Sequence, residues 1–234
     1  MQFFVGTSAF SEPKWKGSFY PQKLPQEEML KYYAEYFNAV EINNTYYRMP
    51  NASNLKPWLA YVPKGFQFAF KAPQAITHFK RLKDAGEATT TFCRETAVLK
   101  AYRGPLLFGL HPNHQKDIPR LREFLRQIPK RTRVAFEFRH ASWFDEDTFG
   151  CLRSSGCALC INDDEEQSPW TKLVRTTDWG YLRLRCEAYT DRQLATWIKK
   201  LIAQKWRDAY VFFKHEATGA GPRLAARFLK LATT

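Results

Sequence analysis

Apolar and polar positions alternate in short runs that recur along the whole chain. The alternation predicts strands at Phe3–Thr7, Ala39–Asn43, Gln67–Lys71, Leu106–Leu110, Arg133–Arg139, Ala158–Asn162, Tyr181–Arg185 and Ala209–Phe213. Between them the apolar spacing changes to three and four, the period of a helix face. Met29, Leu30, Tyr33 and Phe37 mark one such helix; Leu121, Phe124, Leu125 and Ile128 mark another. Leu194, Trp197, Ile198 and Leu201 mark a third, with Thr190 or Asp191 placed to cap it. Leu224, Phe228 and Leu229 follow Gly221-Pro222, a helix start with proline in the first turn.

Strands that each lead into a helix or a long connection imply a parallel sheet with crossover helices. No Gly/Ser linker divides the 234 residues. The chain is therefore expected to be one α/β domain over residues 1–234, a single (β/α)8 TIM-type barrel with long aromatic loops after strands 1 and 2. A doubly wound open sheet is the alternative, but strand 1 runs into Gly6-Thr7-Ser8-Ala9-Phe10 without a glycine-rich phosphate loop.

The alternation also sorts side chains by face. In Val40-Glu41-Ile42-Asn43 the apolar residues share one face, and Glu41 and Asn43 the other. Phe66, Phe68 and Phe70 oppose Gln67, Ala69 and Lys71; Val134, Phe136 and Phe138 oppose Ala135, Glu137 and Arg139; two leucines oppose Arg183 and Arg185. In a barrel the outer face packs under helices, so the polar face points inward. Glu41, Lys71, Glu137, Arg139, Arg183 and Arg185 cluster toward the C-terminal strand ends, where barrel active sites sit. An unpaired buried charge costs several kcal/mol, so these groups must meet each other, water or a ligand. An internal salt-bridge network that closes the barrel is the alternative reading.

The loops add candidates. Asn44-Thr45-Tyr46-Tyr47-Arg48 follows strand 2, His140-Ala141-Ser142-Trp143 strand 5, and Asp163-Asp164-Glu165-Glu166 strand 6. Rings beside Arg48 and His140 suit a flat or sugar-like ligand or a stacked base, although Trp143 would equally plug the mouth. Of the acidic run only Asp163 lies near enough to the strand to reach inward. Phe213-Lys214-His215-Glu216 closes strand 8, where barrels often bind phosphate. The predicted site thus has Glu41 and Glu137 as proton-transfer groups and Asn43 to orient one of them or the substrate. Thr7, Tyr47, Arg48, Lys71, Arg139, His140, Trp143, Asp163, Arg183, Arg185 and His215 are its ligand contacts.

A divalent metal held by His111, His114, Glu41, Glu137 and Asp163 is disfavoured, because Pro112 breaks any helix that would align the histidines and cations outnumber carboxylates. No metal or cofactor is expected. Cys157 and Cys160 form a C-x-x-C, but positions three apart on a strand face opposite ways and no second pair completes a zinc site. Five irregularly spaced cysteines fit reduced thiols. No apolar run is long enough to span a bilayer, and the opening residues lack the charge and length of a secretory signal, so a cytoplasmic protein without a membrane partner is expected. The net charge of +13 attracts polyanions, nucleic acid above all, and would also draw in a small anion. Arg120, Arg122, Arg126, Lys130, Arg131 and Arg133 are expected on a solvated helix face and the following turn.

Several segments together resemble the YecE-like family of uncharacterised barrel proteins. They are Gly6-Thr7-Ser8, Trp15-Lys16-Gly17-Ser18-Phe19-Tyr20-Pro21, Val40 through Pro50, Phe68-Ala69-Phe70-Lys71, Glu137 through Trp143, Tyr181-Leu182-Arg183-Leu184 and Tyr210 through Lys214. The resemblance covers nearly the whole chain. It implies a TIM-type barrel related in shape to the xylose-isomerase and endonuclease-type barrels, and it supplies no reaction. Where many members carry His-Gly after strand 7 and Asn-Asn after strand 8, this chain has Arg185-Cys186 and Lys214-His215, a more cationic variant of the site.

Three functions remain open from sequence. One is an enzyme acting on a phosphorylated or carboxylated small molecule by glutamate-based acid/base chemistry, of isomerase, lyase or hydrolase type. The second is a nucleic-acid-binding or -processing protein using the basic mouth and aromatic loops. The third is a binding role without chemistry.

Overall fold

A computed structural model describes residues 1–163, 172–214 and 219–233. Its strands are β1 (Gln2–Thr7), β2 (Ala39–Ile42), β3 (Gln67–Lys71), β4 (Arg103–Gly109), β5 (Val134–Glu137), β6 (Ala158–Asn162), β7 (Trp179–Leu184) and β8 (Asp208–Phe213). They form one sheet in the order β1-β8-β7-β6-β5-β4-β3-β2, every ladder parallel. Each strand lies beside its sequence neighbour and β1 returns beside β8, which is the winding of an α/β TIM-type barrel. The described α-helices are α1 (Met29–Tyr36), α2 (Ala52–Leu55), α3 (Gly86–Ala97), α4 (Ile118–Arg126), α5 (Glu146–Ser154), α6 (Asp191–Ala203) and α7 (Ala220–Ala232).

Side-chain caps open α4, α5 and α6. Asp117 accepts the Arg120 amide at 3.0 Å to open α4, and Asp145 does the same for Thr148 in α5. Thr190 and Gln193 form a reciprocal capping box on α6.

The seam between β1 and β2 is closed by side chains. Asn38 donates to the Phe3 carbonyl and accepts the Val5 amide, both at 2.8 Å. Tyr33, from α1, donates to the Ala39 carbonyl at 3.1 Å and accepts the Thr7 amide at 2.8 Å. Asn43 donates to the Ser8 carbonyl at 2.7 Å. Two amides and one phenol thus stand in for a ladder that the strands do not make.

The two strand faces carry separate apolar clusters. Outward residues such as Val40, Phe70, Phe108, Phe136, Leu182 and Val211 pack under the helices. Inside, Phe4, Ala69, Leu107, Ala135, Tyr181 and Phe212 belong to a plug across the barrel's waist. Cys157 lies in the outer cluster and Cys160 in the plug, on opposite faces as their spacing requires. No helix among the described residues is long and apolar enough to cross a membrane.

Four strands start earlier than the apolar pattern indicates, β1 at Gln2, β4 at Arg103, β7 at Trp179 and β8 at Asp208. Their first residues serve the N-terminal pole, whose inward positions are polar or aromatic rather than aliphatic.

Candidate functional site

Inward positions above the plug form an ion network at the C-terminal mouth. Register sets it: Glu41 stands beside Ala69, Lys71 beside Leu107, Gly109 beside Glu137, and Asn162 beside Arg183. Arg183 is its centre. One arm donates to Glu41 Oε1 at 2.9 Å, the other to both Glu137 oxygens at 3.0 and 3.1 Å. All three side chains are at most 3% exposed. Tyr181 adds a hydrogen bond to Glu41 Oε2 at 2.6 Å, so both oxygens of this buried carboxylate are used.

Glu137 collects more donors. Arg185 reaches its Oε1 at 2.9 Å, Asn162 the same oxygen at 2.9 Å, and Arg139 both oxygens at 3.3–3.4 Å. Burial alone would push this carboxyl up. Arg183, Arg139, Arg185 and Lys71 outweigh it and hold the acid far below the usual carboxylate range. Gly109 makes the crowding feasible, since a Cβ there would stand 2.8 Å from Glu137 Oε2 and 3.8 Å from Lys71 Cε.

Lys71 is different in kind. Its ammonium forms no ion pair among the described residues and sits 4.4 Å over the Tyr46 ring. Burial, reinforced by the charge of Arg183, lowers its pKa to about 8 despite Glu137 and Glu41 nearby. Beyond Tyr46 the wall continues with His78, 5.1 Å from it, and His111, 5.3 Å further. Burial and the neighbouring His111 lower the His78 pKa to about 4, so it is neutral at pH 7. Tyr47 and Phe79 stand exposed on the same two loops.

Asp163 ties the β6 and β7 ends together by accepting the Arg185 amide at 2.7 Å and the Tyr189 hydroxyl at 2.5 Å. Three buried polar atoms near the mouth, Ser8 Oγ, Asn43 Oδ1 and Arg183 Nε, have no hydrogen-bond partner among the described residues.

The structure thus brings Glu41, Lys71, Glu137, Arg139, Arg183 and Arg185 together, with Asn43 and Asp163 at the edges. Other expected contacts lie apart. Thr7 shares the outward face of β1 with Val5, and its hydroxyl meets Tyr33 at 2.9 Å beneath α1; the inward neighbour is Ser8. Trp143 is 1% exposed, stacked on Phe138 at 4.6 Å, with its indole N–H on the His114 carbonyl at 2.6 Å. It packs the outer layer. His140 turns to Ser142, accepting its amide and meeting its hydroxyl at 2.8 Å, and so caps its own loop. Arg48 lines a separate cavity of about 500 Å³ with Asn54 and Trp58. Tyr47 is 77% exposed against Tyr46 and outside the ion network. His215 and the acidic residues Asp164, Glu165 and Glu166 lie outside the described residues. Among the described residues no three His, Cys, Asp or Glu side chains converge as a metal would require.

Sequence reasoning missed Ser8, His78, Asn162, Tyr181 and Tyr189. Alternation with Cys160 and with Arg183 is the signal that could have found Asn162 and Tyr181; His78 sits in a turn that no periodicity signals.

A family described as "Protein of unknown function DUF72" matches residues 4–234. The chain is 25% identical over 224 residues to the UPF0759 protein YunF of Bacillus subtilis, covering 85% of this chain and 74% of that one. It is 29% identical over 147 residues to the UPF0759 protein YecE of Escherichia coli, covering 60% of this chain and half of YecE's length. A crystal structure of a DUF72 family protein from Thermotoga maritima superposes with a TM-score of 0.86 at 27% identity over the whole of both chains.

Proposed function

The chain belongs to the DUF72 family of proteins of unknown function, and from its mouth we propose that it binds a small phosphorylated or carboxylated molecule and moves a proton on it. The observation that carries this reading is Lys71: a half-buried amine with a pKa of about 8, without an ion-pair partner among the described residues, at the rim of a network where cations outnumber carboxylates. Arg183 is consumed by two carboxylates, whereas Arg139 holds Glu137 only at 3.3–3.4 Å and is 32% exposed. Its fork is free to turn to an incoming anion, with the two oxygens of a phosphate or carboxylate matching two N–H groups.

The chemistry divides by pKa. Glu137, held far below the carboxylate range, is a weak base and serves as a fixed negative charge that aligns three arginines. Glu41 is enclosed by Arg183 and Tyr181 and orients Arg183. Lys71, poised within about a unit of neutrality, is matched to proton exchange. The glutamate-based scheme expected from sequence thus becomes a lysine-based one, with Asn43 and Ser8 offering buried polar atoms to the substrate. His78 and Tyr46 offer a neutral ring wall to its uncharged part.

A calorimetric screen of phosphorylated and carboxylated metabolites tests the reading. At least one should bind and raise unfolding stability, by about 2.7 kcal/mol at a hundred times its Kd. Arg139→Gln should weaken that binding about tenfold or more. Lys71→Met should abolish turnover while retaining part of the binding. No stabilisation by any anion, or equal binding by the Arg139→Gln protein, would overturn it.

A further inference from the structure

The barrel has a second charged opening. Below the plug, at the N-terminal pole, a cavity of about 380 Å³ is lined by Gln2, Gln67, Arg103 and Asp208 from four strands and by Arg133, just before β5, with Lys100 and Arg131 at the rim. Four cations face one carboxylate, and that carboxylate is spoken for. Asp208 accepts from Arg133 at 2.5 Å, and Arg133 also donates to the Tyr210 hydroxyl at 2.8 Å while lying over the Trp179 and Tyr210 rings.

Arg103 has no such partner. Half-buried, it donates to the Cys93 carbonyl at 3.2 Å and pairs with no carboxylate among the described residues. Burial pushes its pKa down, the signature of a guanidinium short of counter-charge. The rim cations Lys100 and Arg131 adopt left-handed backbone, φ 53° and 67°, a conformation that costs non-glycine residues energy.

A second cavity, of about 390 Å³, adjoins the first through their shared Arg131. Arg122, Arg126 and Lys130 line it, with no carboxylate among its lining residues. Most of the cations expected on a merely solvated helix face therefore border one continuous track, and Arg133 points into the barrel. Seven cations border the two cavities against the single carboxylate of Asp208, at the opposite end from the mouth.

We propose that the N-terminal pole is a binding surface for single-stranded nucleic acid, held by its phosphates. A track of several cations across two cavities exceeds what one small anion needs. Arginine forks suit phosphate oxygens. The recessed Arg103 is within reach of a flexible single strand, whereas the stiff backbone of a duplex would bridge the opening. The first cavity is concave and polar, unlike the flat face with exposed apolar groups that a lipid headgroup layer favours, and the second sets its cations among Leu125, Ile128 and Pro129. This site is independent of the chemistry proposed for the mouth.

Anisotropy titrations of a labelled single-stranded oligonucleotide against KCl concentration test it. Three proteins are compared: wild type, Lys100→Gln/Arg131→Gln at the pole, and Arg139→Gln at the mouth. Lys100 and Arg131 are exposed, so the double variant should keep the wild-type melting temperature. The double variant should bind about tenfold more weakly, and its log–log salt slope should be shallower by about 1.4, two lost contacts at ~0.7 each. The mouth variant should match wild type. Three results would overturn the proposal: equal binding by the pole variant, loss confined to Arg139→Gln, or saturable binding of inorganic pyrophosphate or anionic vesicles at the pole with no binding of the strand.

Discussion

Replacing Arg183 with methionine should lower folding stability by about 3–5 kcal/mol, the cost of removing one partner from a buried ion cluster. The loss falls unevenly. Glu137 would keep Arg139, Arg185 and Asn162, whereas Glu41 would be left with only the Tyr181 hydroxyl. The double variant Arg183→Met/Glu41→Gln should therefore recover much of the loss, because a neutral amide needs no counter-charge. Urea unfolding of both variants gives the coupling directly. A single-variant loss below about 1 kcal/mol would mean that the cluster is more hydrated than its burial indicates.

Acid should narrow the gap. Because the folded-state pKa of Glu137 is depressed, its contribution is fully present above the ordinary carboxylate value near 4.3 and is lost as pH falls through the folded value. Wild type should lose stability below about pH 4–5 more steeply than the Arg183→Met protein, which has less of that contribution to lose.

A second large effect is expected at the seam. Gly6 lies where β1 presses on β2, and a Cβ there would stand 1.8 Å from the Ala39 carbonyl oxygen and 2.5 Å from the Tyr33 hydroxyl. The carbonyl belongs to the β2 backbone and cannot turn aside, so Gly6→Ala must push the strands apart or break the Tyr33 bridge. Overpacking costs roughly 1–3 kcal/mol, and backbone against backbone sets this case at the upper end. Denaturant unfolding should show the loss, with fast hydrogen exchange at the Val5 and Thr7 amides, which lean on Asn38 and Tyr33. An alanine variant as stable as wild type would mean that the barrel is looser at β1–β2 than the side-chain bridges imply.

The barrel and the inward set Glu41, Lys71, Glu137, Arg139, Arg183 and Arg185 were legible because strand alternation is a period-two signal that burial makes strict. Thr7, expected among the ligand contacts, lies on the other side of its strand: the β1 face that includes Phe4 points inward, and its continuation is Ser8. Loop residues carry no such period. His140 and Trp143 follow a charged strand and read as site residues, yet a local cap claims one and the stack on Phe138 the other. The role of Lys71 was not legible either. Alternation located it, but its lowered pKa arises from burial and from Arg183, four strands further along the chain. The polar pole was hidden for a related reason: Arg103 precedes its apolar run, where it resembles a turn residue, and Arg133 reads equally as the end of a solvated turn and as the start of strand 5.

The Lys71 amine is the most direct test of the proposed anion site. Heteronuclear NMR of lysine side chains, with the Lys71→Arg protein for assignment, follows its titration in the free protein and with saturating inorganic phosphate. A folded pKa below the unfolded value near 10.5 means that burial disfavours the ammonium, and stability contributed by Lys71 should rise with pH between about 8 and 10.5. The account predicts a midpoint near 8 that moves upward when phosphate binds, and an upward move lost in the Arg139→Gln protein. A midpoint near 10.5 that phosphate leaves unchanged would contradict it.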